Sequence, residues 1–209
     1  KYRSDNEMKD SGIEWLGMIP KEWSGCKIKH IATLKIGNSI SALDKENKYS
    51  KVIDNFYPYI ATKDINVDIK TIEHGNNLFI PRNTNFEVAK RGTSLICIEG
   101  GSAGRKIGYL KEDSCFGNKL CNVEANKKVI NRLLYYILQT DHFGVEFFNK
   151  TTGIIPGVSI EEFKTINTVL PNGEDQQKIA NFLDIKIAEF DSIISKKELL
   201  IEKLEEAKK

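Results

Sequence analysis

The stretch Glu174-Asp-Gln-Gln-Lys-Ile-Ala-Asn-Phe-Leu-Asp-Ile-Lys-Ile-Ala-Glu-Phe-Asp-Ser-Ile-Ile-Ser-Lys-Lys-Glu-Leu-Leu-Ile-Glu-Lys-Leu-Glu-Glu-Ala-Lys-Lys209 ends the sequence, and its period decides the architecture. Alternating steps of three and four back from Leu204 meet Ile201, Lys197, Ile194, Phe190, Ile187, Leu183 and Ala180, with Glu, Asp and Lys at most positions between. That is a coiled-coil seam. Pro171-Asn-Gly173 is a start signal, Glu174 and Asp175 lie in the first turn, and Lys208 and Lys209 lie in the last, so the charges complement the helix dipole. At about 1.5 Å per residue the helix would reach roughly 50 Å, more than the width expected of the domain before it. A surface helix packed on its own domain is the plainer alternative, but such helices typically run ~8–20 residues. A single apolar stripe of this length calls for a partner along Leu183, Ile187, Phe190, Ile194, Ile201 and Leu204. Lys197 interrupts the stripe, either fixing register against an acidic neighbour or snorkelling to solvent.

Upstream, Ile166–Leu170 reads as a strand, and Ser159 with Glu162 as a capping box on a short helix. Thr151–Gly157 is a loop, because Pro156 and two glycines forbid regular structure. From Lys127 the apolar period is helical through Val129, Leu133, Leu134, Tyr136, Ile137, Leu138 and Phe143, with a break expected at Gly144 before Phe147 and Phe148. Ser94–Glu99 is a nearly continuous apolar run between glycines, the pattern of a central strand buried on both faces. Gly100–Arg105 is the turn after it, and Ile107–Leu110 and Leu120–Val123 are further strands. Tyr57–Thr62 is a short strand closed by Lys63-Asp64. Lys27–Gly37 alternates loosely, Asn38–Asn55 is a loop or weak helix, and Met8–Trp23 is an irregular arm held by the indoles of Trp15 and Trp23. Strands and helices mix without strict βαβ alternation. The expected fold is therefore α+β, a globular body with a mixed sheet over residues 1–171 and a long helix over 172–209.

The 209 residues give room for one ordinary domain plus an appendage. No run approaches the ~18 apolar residues of a membrane span, and Lys1–Asp10 lacks the apolar core of a signal peptide, so a soluble cytoplasmic protein without membrane contact is expected. The chain does not begin with Met and its helix still runs at Lys209, which fits a piece of something longer. Cys26, Cys97, Cys115 and Cys121 form no CxxC pair and have no His at metal spacing, so buried free thiols rather than a zinc site are expected. The net charge of +2 is uninformative, but Arg82–Lys111 carries six basic residues against Glu87 and Glu99. Such a stretch beside a glycine-rich turn resembles a phosphate-backbone footprint, and equally an ordinary solvated surface.

Gly100-Gly-Ser-Ala-Gly-Arg-Lys106 allows close backbone approach to an anion, yet the GxxxxGK[ST] spacing of a P-loop is absent. Asp64, Asp68 and Lys70 superficially match the acidic–lysine clusters of magnesium nucleases. No nucleophile elbow or triad pattern involves His30, His74 or His142, and no cofactor loop or Asn-Pro-Pro-Tyr tetrapeptide supports methyl transfer. No catalytic residue, metal ligand or cofactor is expected. Four loops carry donors or flexible backbone suited to phosphates and base edges, giving Lys63, Asp64, Gly101, Ser102, Arg105, Lys106, Asn118, Lys119, Thr152 and Gly153 as candidate DNA contacts.

Several segments together resemble the specificity subunit of type I restriction-modification systems. They are Lys9-Asp-Ser-Gly-Ile-Glu-Trp-Leu-Gly-Met-Ile-Pro-Lys-Glu-Trp23, Tyr57-Pro-Tyr-Ile-Ala-Thr-Lys-Asp-Ile65, the Gly100–Gly108 turn, Thr152–Pro171, Glu174–Asp184 and Ile194–Leu204; Asp175-Gln176 stands where the family usually has Glu-Gln. The resemblance implies a non-catalytic reader of double-stranded DNA, with a target recognition domain and a conserved helix. It also implies modification (methyltransferase) subunits and a restriction (motor-nuclease) subunit as partners. Complete subunits hold two recognition domains whose helices pair antiparallel as a ruler between the halves of a bipartite site. One domain and one helix here imply half such a subunit, completed by a second recognition domain or a second copy. Two other readings stand beside it: a stand-alone metal-dependent nuclease using Asp64, Asp68 and Lys70, and a coiled-coil adaptor without sequence preference.

Overall fold

A computed structural model describes residues 4–13, 17–50, 54–154 and 156–206. In chain order the strands are β1 (Met8–Asp10), β2 (Met18–Pro20), β3 (Ser24–Lys27), β4 (Ala32–Ile36), β5 (Phe56–Ile60), β6 (Phe79–Pro81), β7 (Val88–Ala89), β8 (Ser94–Cys97), β9 (Ile107–Tyr109), β10 (Ser114–Phe116), β11 (Leu120–Ala125) and β12 (Asn167–Leu170). The helices are α1 (Ala42–Asn47), α2 (Asn131–Ile137), α3 (Asp141–Asn149), α4 (Ile160–Lys164) and α5 (Gly173–Glu206). Among the described residues these make an antiparallel sheet in the order β4-β11-β8-β9, a mixed sheet β6-β5-β10-β7 whose β5–β10 pair is parallel, and the ribbons β1-β2 and β3-β12. The body is α+β, as the mixed periods imply.

β8 explains the uninterrupted apolar run. All four of its residues are buried, and alternate side chains enter different cores: Ile96 joins the cluster under α2–α4, whereas Leu95 and Cys97 join the cluster toward the mixed sheet. Strand alternation that usually separates core from water here separates core from core. On the helical side, Phe143, Phe147 and Phe163 stack with centroids 5.7–5.8 Å apart, tying α3 to α4.

Several expectations are corrected. Gly144 lies inside α3; the break falls at Leu138–Thr140, where the Thr140 hydroxyl accepts from the Phe143 N–H and restarts the helix. The Ser159 box is half made, since Ser159 caps Glu162 N while the Glu162 carboxylate pairs with Lys150. Trp15 lies outside the described residues. Trp23 reaches the helix, its indole donating to Asp175 at 2.9 Å.

α5 runs 34 residues. Asn172 opens it by accepting the Asp175 N–H. Gln176, buried at the root, has its amide satisfied by the Lys128 and Pro171 carbonyls and the Ile130 N–H. Ala180 is buried, and Ile179 and Leu183 lean on the same core. From Ile187 to Glu206 every described residue is exposed. The seam thus begins on the chain's own body and continues without cover through Ile187, Phe190, Ile194, Ile201 and Leu204, while Phe182, Ile185, Ile193, Leu199 and Leu200 expose further apolar surface beside it.

Where β4 ends, Gly37 crosses the chain between β10 and β11. A Cβ there would overlap the Phe116 carbonyl and lie 2.6 Å from the Gly117 oxygen, both backbone atoms that cannot swing aside. Gly37→Ala is therefore expected to destabilise the fold by about 2 kcal/mol or more. Urea unfolding should show a lower midpoint at an unchanged slope.

Candidate nucleic-acid interface

The four loops picked out by sequence meet around the C-terminal end of β8. The Gly100–Lys106 turn is closed by the Cys97 N–H on the Lys106 carbonyl and the Gly104 N–H on the Cys97 carbonyl. It seats on the core through Gly104, at φ +73°, where a Cβ would come within 2.6 Å of the Phe147 ring. The Thr152–Gly157 loop joins through the Gly100 N–H on Pro156 O, at 2.8 Å, and the Glu99–Gly157 bridge. Ile98 N–H donates to Lys119 O, and the Lys119 ammonium stands 3.5 Å from Glu99. The Lys106 ammonium donates to Thr62 O at 2.8 Å, bringing in the 3-10 turn Thr62–Asp64.

Within this cluster the candidates play different parts. Lys63, Gly101, Arg105, Asn118, Lys119, Thr152 and Gly153 are exposed, whereas Ser102 and Lys106 are half-buried. Lys106 acts as a strut between loops. The Arg105 guanidinium curls back to the Gly101 carbonyl. Asp64 is buried, its carboxylate accepting from the Ala61 and Gly75 N–H groups and the Asn76 amide. The carboxylate named as a candidate DNA contact thus organises its own loop. Nor does it meet Asp68 in a metal cluster: no group of three or more His, Cys, Asp or Glu among the described residues could hold an ion.

Sequence reasoning placed Lys70 only in the nuclease alternative. It adopts a left-handed backbone at φ 54° and its ammonium donates to the Arg105 carbonyl, bracing the turn from the other side. Burial pushes this ammonium below the ordinary lysine value, Arg105 adds to the shift, and Asp68 opposes it. Lys70 and Arg105 stand at one rim of a cleft of about 530 Å³, floored by Leu138 and Ile107 and walled by Val145 and Phe148. Val145 and Phe148 are exposed, and Ile154, at the tip of the neighbouring loop, is fully so. The signal for Ile154 was available, since an isoleucine between Gly153 and Pro156 has no element to bury it; Lys70 and Phe148 gave none. Burial raises the Cys115 and Cys121 thiols to about 12 and also raises Cys26 and Cys97, so thiolate chemistry has no support at any of these positions.

A family model described as the type I restriction modification DNA specificity domain matches residues 20–203. The specificity subunit of the type I restriction enzyme MjaIX from Methanocaldococcus jannaschii is 27% identical over 214 residues, covering 98% of this chain and 45% of its own length. The HsdS subunit from Thermoanaerobacter tengcongensis aligns with TM-score 0.63 at 16% identity, over 91% of this chain and 42% of its own. A chain from a study of complex assembly and conformational transition in the type I restriction-modification system aligns with TM-score 0.67 at 17% identity, over 90% and 45%. The type I specificity subunit from M. genitalium aligns with TM-score 0.55 at 18% identity, over 83% and 41%. The present chain spans less than half the length of each of these relatives.

Asp64→Ala would leave three donors of the 61–76 loop without their acceptor. The expected cost is about 1–3 kcal/mol, felt locally as faster amide exchange at Ala61 and Gly75. Unchanged exchange there would remove Asp64 as the organiser of this loop.

Proposed function

Because the chain belongs to the type I restriction-modification DNA specificity family, matched across residues 20–203, we propose that it reads one half of a bipartite DNA target and holds that half at a set distance from the other. The observation that carries this reading is the convergence of the four donor-bearing loops at one end of β8, with Arg105, Lys63, Asn118 and Lys119 exposed there. Residues 1–171 serve as the target recognition domain and 172–209 as the spacer and pairing helix. Lys63, Arg105 and Lys119 position phosphates, and Asn118 with the 152–154 loop faces base edges. Ser102 and Gly101 offer backbone and hydroxyl donors to the same strand. Asp64 and Lys106 hold the loops in place.

The exposed seam pairs with the helix of a second recognition domain or a second copy. Apolar residues beside the seam, Phe182, Ile185, Ile193 and Leu200, support a bundle of more than two helices, which leaves room for the modification subunits to dock. The restriction subunit joins through that assembly in the cytoplasm. This chain performs no chemistry; methylation and cleavage belong to its partners.

A random-oligonucleotide selection with the modification subunit present should enrich one half-site sequence; a flat outcome would sink the reading. On the enriched site, Arg105→Ala should weaken binding and lower the slope of log K against log salt by about one, while an unchanged slope would take Arg105 off the backbone. In sedimentation at tens of micromolar the chain should self-associate and Ile194→Asp should abolish it; a monomeric parent chain counts against pairing with a second copy.

A further inference from the structure

Body and helix must be held at one angle if the second recognition domain is to meet DNA at a fixed place, and one cluster is positioned to do this. Among the described residues, the polar connection from α5 to the body that lies farthest along the helix is Asp184. Its Oδ1 accepts from Arg132 Nε at 2.6 Å and from the Tyr136 hydroxyl at 2.5 Å, and Arg132 also donates to that hydroxyl at 3.0 Å. Arg132 has little freedom of its own. Its guanidinium lies 4.7, 5.0 and 4.9 Å from the ring centroids of Tyr109, Tyr135 and Tyr136. Two of those tyrosines belong to α2, whose Leu133 and Leu134 are buried in the main core. The third ends β9, which begins directly after the Gly100–Lys106 turn.

The same cage reaches the loops. The Tyr135 hydroxyl donates to the Lys70 carbonyl at 3.0 Å, and the Lys70 ammonium donates to the Arg105 carbonyl. A continuous set of hydrogen bonds and stacked rings therefore runs from Arg105, on the candidate interface, to Asp184, on the helix.

The lever is long. Gln176 and Asp184 are about 12 Å apart along the axis, and about 33 Å of described helix lies beyond Asp184. A shift of about 2 Å at Asp184 tilts the axis by about 10° and moves the far end, about 45 Å from Gln176, by about 7 Å. Successive phosphates on one DNA strand rise about 3.4 Å along the duplex axis, so that displacement is worth about two base pairs. One base pair also turns a half-site by about 34° around the duplex. Gln176, Ala180 and Trp23 lie at the pivot and resist such a tilt poorly.

We propose that Arg132, Tyr136 and Asp184 form an angle-setting clamp, a group of positioning residues that fixes α5 relative to the reading loops and thereby selects the spacing between half-sites. The spacing consequence rests on the function proposed above; the fixed angle does not. In the full chain carrying Cys26→Ser and spin labels at Lys111→Cys and Ser195→Cys, diluted into an excess of unlabelled chain so that only distances within one chain are read, pulsed dipolar spectroscopy should give one narrow distance. Asp184→Ala should broaden that distribution at least about twofold, Tyr136→Phe should broaden it less, and Asp191→Ala, on the free part of the helix, should leave it alone. An unchanged distribution in Asp184→Ala overturns the clamp.

With the modification subunits and DNA, Asp184→Ala should keep the affinity for an isolated half-site while losing about tenfold of the preference for the correct spacer over one differing by a base pair. Retained spacing preference despite a broadened distribution overturns the spacing role. If the parent chain shows no spacing preference at all, the proposed function fails together with that consequence, while the distance measurement still decides the clamp.

Discussion

A strand with no solvent face controls this molecule. β8 separates two cores, so neither of its faces can be wetted and its backbone partners must come from both sides; β11 and β9 supply them. Its end is then the first place where the chain can leave the interior, and four loops crowd there because the strands and bridges around β8 deliver them. The close seat of Gly104 on Phe147 follows from the same pressure, as the turn must leave without lifting off the core. A loop cluster built on a strand buried on both sides inherits that strand's rigidity, which is what recognition by fixed donors requires.

α5 divides sharply in its physics. Over its first three turns it is a component of the body, with a buried and fully satisfied glutamine, a buried alanine and an indole from the N-terminal arm at its side. The β3–β12 ribbon brings the early and late parts of the body together just before the helix begins. Past Lys186 no described residue is covered. The exposed apolar side chains run along the helix rather than standing singly, and the proposed pairing rests on that arrangement.

Much of this was legible in the sequence where a long-range pattern existed. The heptad-like stepping located α5, the glycine-bounded run located β8, and the mixed periods gave the α+β class. Strands of two to four residues, such as β7 and β10, carry no period to read, and the parallel β5–β10 pairing has no local signature. The helix break was misplaced because glycine is only a weak breaker, whereas the Thr140 cap, a stronger device, looks like any surface threonine. That these segments are loops could be inferred from turn chemistry. The direction of each side chain could not, which is why Asp64 and Lys106 looked like ligands and serve as struts.

That distinction changes how basic loops should be weighed. Counting cations in Arg82–Lys111 treats each as available to a phosphate, but Lys106 directs its ammonium at a carbonyl and Lys90 pairs with Asp113, and Lys70, outside the stretch, likewise donates to a carbonyl. A lysine engaged this way contributes little to counterion release, yet it fixes backbone donors and neighbouring side chains in place before any ligand arrives. Arg105 illustrates the division. Its backbone carbonyl is held by Lys70 while its side chain remains at the surface, so charge and geometry come from different residues. The proposed interface, assembled like this, would read by placement more than by charge, consistent with a chain whose overall charge is only +2.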